Sequence, residues 1–293
     1  MTSADKPEGG LTAPFGAPGW DLGRLVLVPQ GRPLVMGIVN LTPDSFFPGS
    51  RTTETGPAVG HALRLVAEGA DVVDLGAEST RPGAESVGQA EEMDRLLPVL
   101  EILRAETGVP ITVDTTRAAT AAAALRAGAD AVNDISAGTL DPDMLSVAAE
   151  AGCGLILMHM QGTPRTMQND PRYEDVQAEV RGWLAARYRL AREAGVAEGR
   201  LMVDPGIGFG KNLAHNLALL AGLREVAGGR PLLLGASRKR FIAGVTGAAV
   251  EDRLPGSLAA LACAWQGGAT AVRVHDVAAS VQFLDVLKAV SDR

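Results

Sequence analysis

A chain of 293 residues that is 46% hydrophobic, 21% charged and only 4% aromatic has enough apolar material for an ordinary core, built mainly on small aliphatic side chains. This excludes a disordered or collagen-like chain and favours parallel strands under Ala-rich helices over a β-sandwich. The 27 basic and 34 acidic residues leave a formal charge of −7, the wrong sign for a protein that grips nucleic-acid phosphates.

Residues 1 to about 22 are rich in Pro and Gly without periodicity. They predict a flexible lead-in that adds little to a core, with the fold starting near Leu25 and one domain filling residues 23–293. No basic stretch leads into an apolar run there, and nothing later approaches the about 18 apolar residues of a membrane span, so a soluble cytoplasmic protein is expected. From Leu34 on, eight apolar runs of strand length recur: LVMGIVN closing at Asn40, VVDLG at Gly76, ITVD at Asp114, AVND at Asp134, LILMHM at Met160, LMVD at Asp204, LLLG at Gly235 and AVRVH at His275. Ala- and Leu-rich helical stretches separate them, several ending at Gly. The phrases EGADVVDLG, AGADAVNDI and GGATAVRVHD each run from a helix-ending Gly into a strand. Eight βα units of about 30 residues predict a closed (β/α)8 barrel, an α/β fold in a single domain, with an open doubly wound sheet as the structural alternative. Cys153 and Cys263 lack CxxC spacing and fit reduced thiols used as small apolar residues.

A parallel barrel gathers all strand C-terminal ends on one face. That rim is expected to carry Asn40, Asp74, Asp114, Asn133, Asp134, His159, Asp204, Lys239, Arg273 and His275. For any one Asp or Asn, a helix cap or strand-end hydrogen bond is the bland explanation; it does not readily cover the whole set. NLTPDSFFPGSR after the first strand reads as a mobile lid. ESTRPGAES after the second places Thr80 and Arg81 where a guanidinium can clamp an anion. GASRKRF puts three consecutive cations at a helix start, which opposes the helix dipole unless an anion offsets them, as a phosphate site there would. Arg273 and His275 alternate along one strand and so point to the same side.

DPGIGFGK, Asp204 to Lys211, fits neither nucleotide-binding loop: the P-loop position five residues before its second Gly is Pro205, and the Rossmann spacing fails. Its glycines are expected to let a flat ligand approach the backbone. No HExxH or zinc-type cluster occurs, so any metal is expected to be Mg²⁺ arriving with phosphate and held by few protein ligands such as Asn40.

MGIVNLTPDSF, DLGAESTRPGA, VDTT, VNDISAG, LMHMQGTP, DPGIGFGKN, GASRKRF and RVHDV, in that order, closely resemble the dihydropteroate synthase family of folate biosynthesis, from about Leu34 to Val277. The resemblance implies a (β/α)8 barrel that joins 6-hydroxymethyl-7,8-dihydropterin diphosphate to 4-aminobenzoate with release of pyrophosphate, is assisted by Mg²⁺, and is a sulfonamide target. It implies pterin contacts at Asp114, Asn133, Met158, Asp204, Phe209, Lys239 and Arg273, and diphosphate contacts at Asn40, Arg273 and His275, with Asn40 on the metal. It places 4-aminobenzoate among Phe46, Thr80, Arg81, Pro82 and Arg240, gives Asp44, Asp114, Lys239 and Arg81 to catalysis, and implies a homodimer through the last helices. Two features depart from the family pattern: Arg240 stands where members often have Ser, and Phe47 with Pro48 alters the first loop. These departures motivate a pterin-binding paralogue without synthase activity as an alternative, beside a pterin-dependent methyltransferase on the same barrel.

Overall fold

The computed structural model describes residues 17–41, 51–78 and 87–293. Its first element is a two-stranded antiparallel ribbon, β1 (Trp20–Asp21) against β2 (Val26–Leu27). Strand and helix then alternate: β3 (Leu34–Asn40), α1 (Arg51–Ala67), β4 (Val72–Gly76), α2 (Gln89–Glu106), β5 (Ile111–Asp114), α3 (Ala118–Arg126), β6 (Ala131–Asp134), α4 (Met144–Ala151) and β7 (Gly154–Met158). The second half continues with α5 (Val176–Glu193), β8 (Leu201–Asp204), the pair α6 (Leu213–Ala221) and α7 (Leu223–Ala227), and β9 (Leu233–Leu234). It ends with α8 (Arg240–Thr246), α9 (Leu254–Gly267), β10 (Ala271–Val274) and α10 (Val277–Ser291).

β3 to β10 form one parallel sheet in the order β8-β7-β6-β5-β4-β3-β10-β9. A parallel bridge between Val203 and Leu232 joins its two outer strands, so the sheet closes into a (β/α)8 barrel in one domain. Three of the apolar runs overreach: β7 stops at Met158, leaving His159 and Met160 in the loop, β9 keeps only Leu233 and Leu234, and β10 ends at Val274, one residue before His275.

The eight runs look uniformly apolar because both faces of each strand are covered. Residues of one parity, among them Val35, Val73, Val113, Val132, Leu157, Val203, Leu234 and Val272, pack outward against the helices. Residues of the other parity face the lumen, where Leu34, Met36, Val72, Ala131, Ile156, Met202, Leu233 and Ala271 form an apolar floor. Trp20 and Leu22 belong to that floor: both are buried, and the Trp20 indole Nε1 donates to the Arg200 carbonyl at 2.9 Å. The expected start near Leu25 is therefore too late. A barrel needs something to seal its lower end, and this ribbon supplies it; residues 1–16 of the expected lead-in lie outside the described residues. No helix among the described residues is long and apolar enough to cross a membrane.

Candidate active site

One pleat above the apolar floor, the lumen turns polar. Asp74 follows Val72 by two residues, Thr112 is at the same height on β5, Asn133 follows Ala131, Asp204 follows Met202, and Arg273 follows Ala271; strand alternation points all of them inward. Arg273 lies at the centre. Its Nε is 2.6 Å from Asp74 Oδ2 and its Nη2 is 3.0 Å from Asp114 Oδ2. Asp74, fully buried, also accepts from the Thr112 hydroxyl and from Asn133 Nδ2 at 3.3 Å. Two carboxylates thus share one guanidinium. Burial pushes the Asp114 carboxyl up to about 7 against the pull of Arg273, with Asp74 adding to the rise. Burial opposes the charge on Arg273 as well, but Asp74 and Asp114 outweigh it and hold the guanidinium above its ordinary value.

Across the lumen, Asp204 Oδ1 accepts from the Gly206 N–H at 2.7 Å, and Oδ2 faces Gly235. Burial raises the Asp204 carboxyl while Lys239 pulls the other way, and the same burial brings Lys239 down to about 8. The Lys239 ammonium donates to the Ile207 carbonyl at 2.5 Å and stands 4.7 Å over the Phe209 ring. Met158, at the end of β7, clusters with Ile135, Met160 and Met167, and Phe209 packs against that group. On the opposite wall Asn40 closes β3, half-buried. His275 follows Arg273 by two residues, its Nδ1 3.1 Å from the Ser237 hydroxyl.

The structure revises three sequence expectations and adds a packing role to a fourth. Asp134 has the outward parity of Val132; its carboxylate accepts from Ser136 N and Oγ (2.8 and 2.7 Å) and Gly138 N (2.5 Å), so it shapes the loop after β6 and leaves the lumen to Asn133. His159 likewise follows the inward Met158 by one residue and turns away, its ring edge-on to Trp183 at 4.9 Å. The three cations of SRKR do not face one anion. Arg238 grips Asp276 with two bonds of 2.9 and 2.6 Å, Lys239 enters the lumen, and Arg240 is exposed at the start of the seven-residue α8. Two of the glycines of DPGIGFGK bring two loops together, while Gly208 between them faces the Lys239 side chain. A Cβ on Gly206 would lie 2.0 Å from the His159 carbonyl oxygen, and one on Gly210 2.6 Å from that of Gln161, both at left-handed φ (67° and 63°).

Asp44, Phe46, Phe47, Pro48, Thr80, Arg81 and Pro82 lie outside the described residues. A cluster that sequence reading missed does hold the flanks of segment 79–86. Arg117 donates to Glu78 (2.6 Å) on one side and to the Val87 carbonyl (2.7 Å) on the other, and also to the buried Glu92 (2.8 Å). Glu92 in turn accepts from Thr115 and Thr120, each at 2.7 Å. Nothing in VDTTR alone marks that pairing, because its partners come from two other elements. Asp74 was placed on the rim without a role, and strand parity was the signal that would have given it one.

No group of three or more His, Cys, Asp or Glu side chains that could hold a metal occurs among the described residues. The Asn40 amide at the end of β3 offers a single hard oxygen donor, which fits an ion that keeps most of its waters and arrives on a phosphate, the habit of Mg²⁺.

The chain matches the family described as "Pterin binding enzyme" over residues 36–275, a span that includes every strand of the barrel but its first two residues. It is 45% identical over 260 residues to a dihydropteroate synthase of Synechocystis sp., covering 88% of this chain and 90% of that one. It is 47% identical to that of Mycobacterium leprae, covering 87% and 92%. Among solved structures, the Xanthomonas albilineans dihydropteroate synthase with 4-aminobenzoic acid superposes with a TM-score of 0.88 at 46% identity, covering 94% and 99%. The same organism's enzyme in complex with 7,8-dihydropteroate gives 0.84 at 43% identity, covering 94% and 100%. With the barrel, the polar lumen and these likenesses in agreement, the chain belongs to the pterin-binding enzymes and, within them, to the dihydropteroate synthases.

Proposed function

We propose that the chain condenses 6-hydroxymethyl-7,8-dihydropterin diphosphate with 4-aminobenzoate, giving 7,8-dihydropteroate and pyrophosphate. The observation that carries this reading is the buried polar layer, in which Asp74 and Asp114 share Arg273 while Asp204 and Lys239 face them. A pterin offers a row of N–H donors on one edge and ring acceptors on the other. Asp114, Asn133 and Asp204 suit the donors, Lys239 suits an acceptor, and Arg273 covers a ring face by stacking. Met158 and Phe209 line the apolar part of the pocket. Both relatives' ligands, 4-aminobenzoic acid and 7,8-dihydropteroate, are one substrate and the product of this reaction.

The diphosphate is assigned to Asn40, Arg273 and His275, with Asn40 also reaching Mg²⁺. Bound there, Mg²⁺ supplies positive charge to the leaving diphosphate. The bond from the exocyclic methylene carbon to the diphosphate oxygen breaks first, and its electron pair leaves with the diphosphate. The methylene cation so formed is stabilised by Asp44. The 4-aminobenzoate nitrogen then attacks, the C–N bond forms, and the nitrogen loses its proton. No side-chain nucleophile is required, so the work of the chain is orientation and electrostatic stabilisation, typically several kcal/mol for fixed charges in a closed site. Thr80, Arg81 and Pro82, with Phe46 and Arg240, frame the 4-aminobenzoate. In solution the chain is assigned a homodimer in the cytoplasm, consistent with exposed Val286 and Val290 on α10.

The test is a coupled pyrophosphate-release assay on the purified protein with Mg²⁺. Release that requires both the pterin diphosphate and 4-aminobenzoate is expected; no release, or release indifferent to 4-aminobenzoate, defeats the proposal.

A further inference from the structure

The reaction leaves Lys211 without a task, although the residue is only 3% exposed. A buried ammonium is costly unless its protons find acceptors. Here they do. Nζ lies 2.9 Å from the Phe209 carbonyl, 2.9 Å from His159 Nδ1 and 3.4 Å from the His159 carbonyl. The imidazole can accept only if Nδ1 carries no proton. Burial and the neighbouring Lys211 charge bring the His159 ring down to about 3 and keep it neutral, while burial brings Lys211 itself down to about 7; with Nδ1 facing the Lys211 donor, the ring proton belongs on Nε2.

The backbone it holds is the DPGIGFG segment. Four consecutive carbonyls there each accept from a side chain: Ile207 from Lys239 (2.5 Å), Gly208 from Gln168 (2.6 Å), Phe209 from Lys211 (2.9 Å) and Gly210 from Tyr173 (2.8 Å). Gln168 and Tyr173 come from the loop after β7, and so does His159. Lys239, by contrast, comes from the loop after β9 and also covers the Phe209 ring. The segment is thus clamped between two ammonium groups. One belongs to the ligand pocket, and the other is tied to an imidazole that the pocket does not use.

We propose that Lys211 is a positioning residue for the pterin substrate: tethered to His159, it fixes the Phe209 carbonyl and so sets the Phe209 ring and the Ile207 carbonyl against which Lys239 is aimed. This rests on the site taking a pterin, as proposed above. The Lys211 Nζ, with several N–H donors at the end of a long side chain, reaches the Phe209 carbonyl and the imidazole together.

The test uses the full chain. Lys211→Met is expected to raise KM for the pterin diphosphate, and to weaken calorimetric pterin binding, by about tenfold or more, with kcat and KM for 4-aminobenzoate changed by no more than about twofold. His159→Leu, which removes the ring acceptor, is expected to move the same parameter in the same direction. His159→Gln, whose amide oxygen can still accept, restores most of the affinity. Unaltered pterin affinity in Lys211→Met, or a loss spread equally over both substrates, overturns the proposal. If Lys211→Met does not fold, ¹⁵N spectra of the wild-type histidines decide. His159 is expected to keep an unprotonated Nδ1 between about pH 5 and 8, and a ring that titrates freely there refutes the tether. Wild-type protein that binds no pterin would instead defeat the functional reading, leaving the spectral result to stand for itself.

Discussion

Asp114 shows how one residue's environment sets stability and binding against each other. Its carboxyl is held up to about 7, against an unfolded value near 3.8. A group raised in this way binds its proton more tightly when folded, so its contribution to stability is present below about pH 4 and is lost as pH rises through about 7. Binding runs the other way, because the pterin edge needs an ionised acceptor. Pterin affinity is therefore expected to fall as pH drops through about 7, while the stability advantage of Asp114→Asn over wild type grows between about pH 4 and 7. Calorimetric titration and denaturant melts across that window check both signs. Asp74 makes a simpler case. Asp74→Asn leaves Arg273 with Asp114 alone in a buried site, and breaking such a pair costs about 3–5 kcal/mol. A loss under about 1 kcal/mol in urea melts would show that the shared guanidinium is not what holds this layer together.

At the scale of elements, loop packing decides which residues form the site. Gly206 lies where any side chain would strike the His159 carbonyl at 2.0 Å. Gly206→Ala is therefore expected to cost more than about 2 kcal/mol of stability and to abolish pterin binding, combining a left-handed backbone with a backbone clash. An active, stable variant would mean that the loops after β7 and β8 can part freely. Strand alternation also explains what the sequence revealed and what it hid. The rim was legible as a set, because each apolar run ends on a polar residue and a parallel barrel must gather those ends. The inward or outward turn of a given residue was harder to read: in runs apolar on both faces, Asp134 and His159 look as promising as Asn133 and Met158. The tethers Lys211–His159, Arg117–Glu92 and Arg238–Asp276 were not legible at all. Each joins loops or helices far apart in the chain, and only the closed barrel brings them within reach.

For the molecule as a whole, the barrel is a container with an apolar floor and a charged mouth. Eight recurring apolar runs announced the container. The floor was missed because Trp20 sits in a Pro- and Gly-rich stretch with no periodicity to mark it as core. Trp20→Ala is expected to lower stability by about 3–5 kcal/mol, as loss of a fully buried aromatic does, while leaving pterin contacts at the opposite end intact. Thermal melts with and without ligand separate those two effects, and a melting temperature unchanged by the substitution would show that the ribbon does not seal the barrel. One mouth is proposed to hold acids for a pterin edge and cations for its departing diphosphate. The decisive measurement follows pyrophosphate release from the pterin diphosphate with Mg²⁺ as 4-aminobenzoate is added. Release that saturates with 4-aminobenzoate and is lost in Asp204→Asn is expected; release that ignores either change would contradict the account.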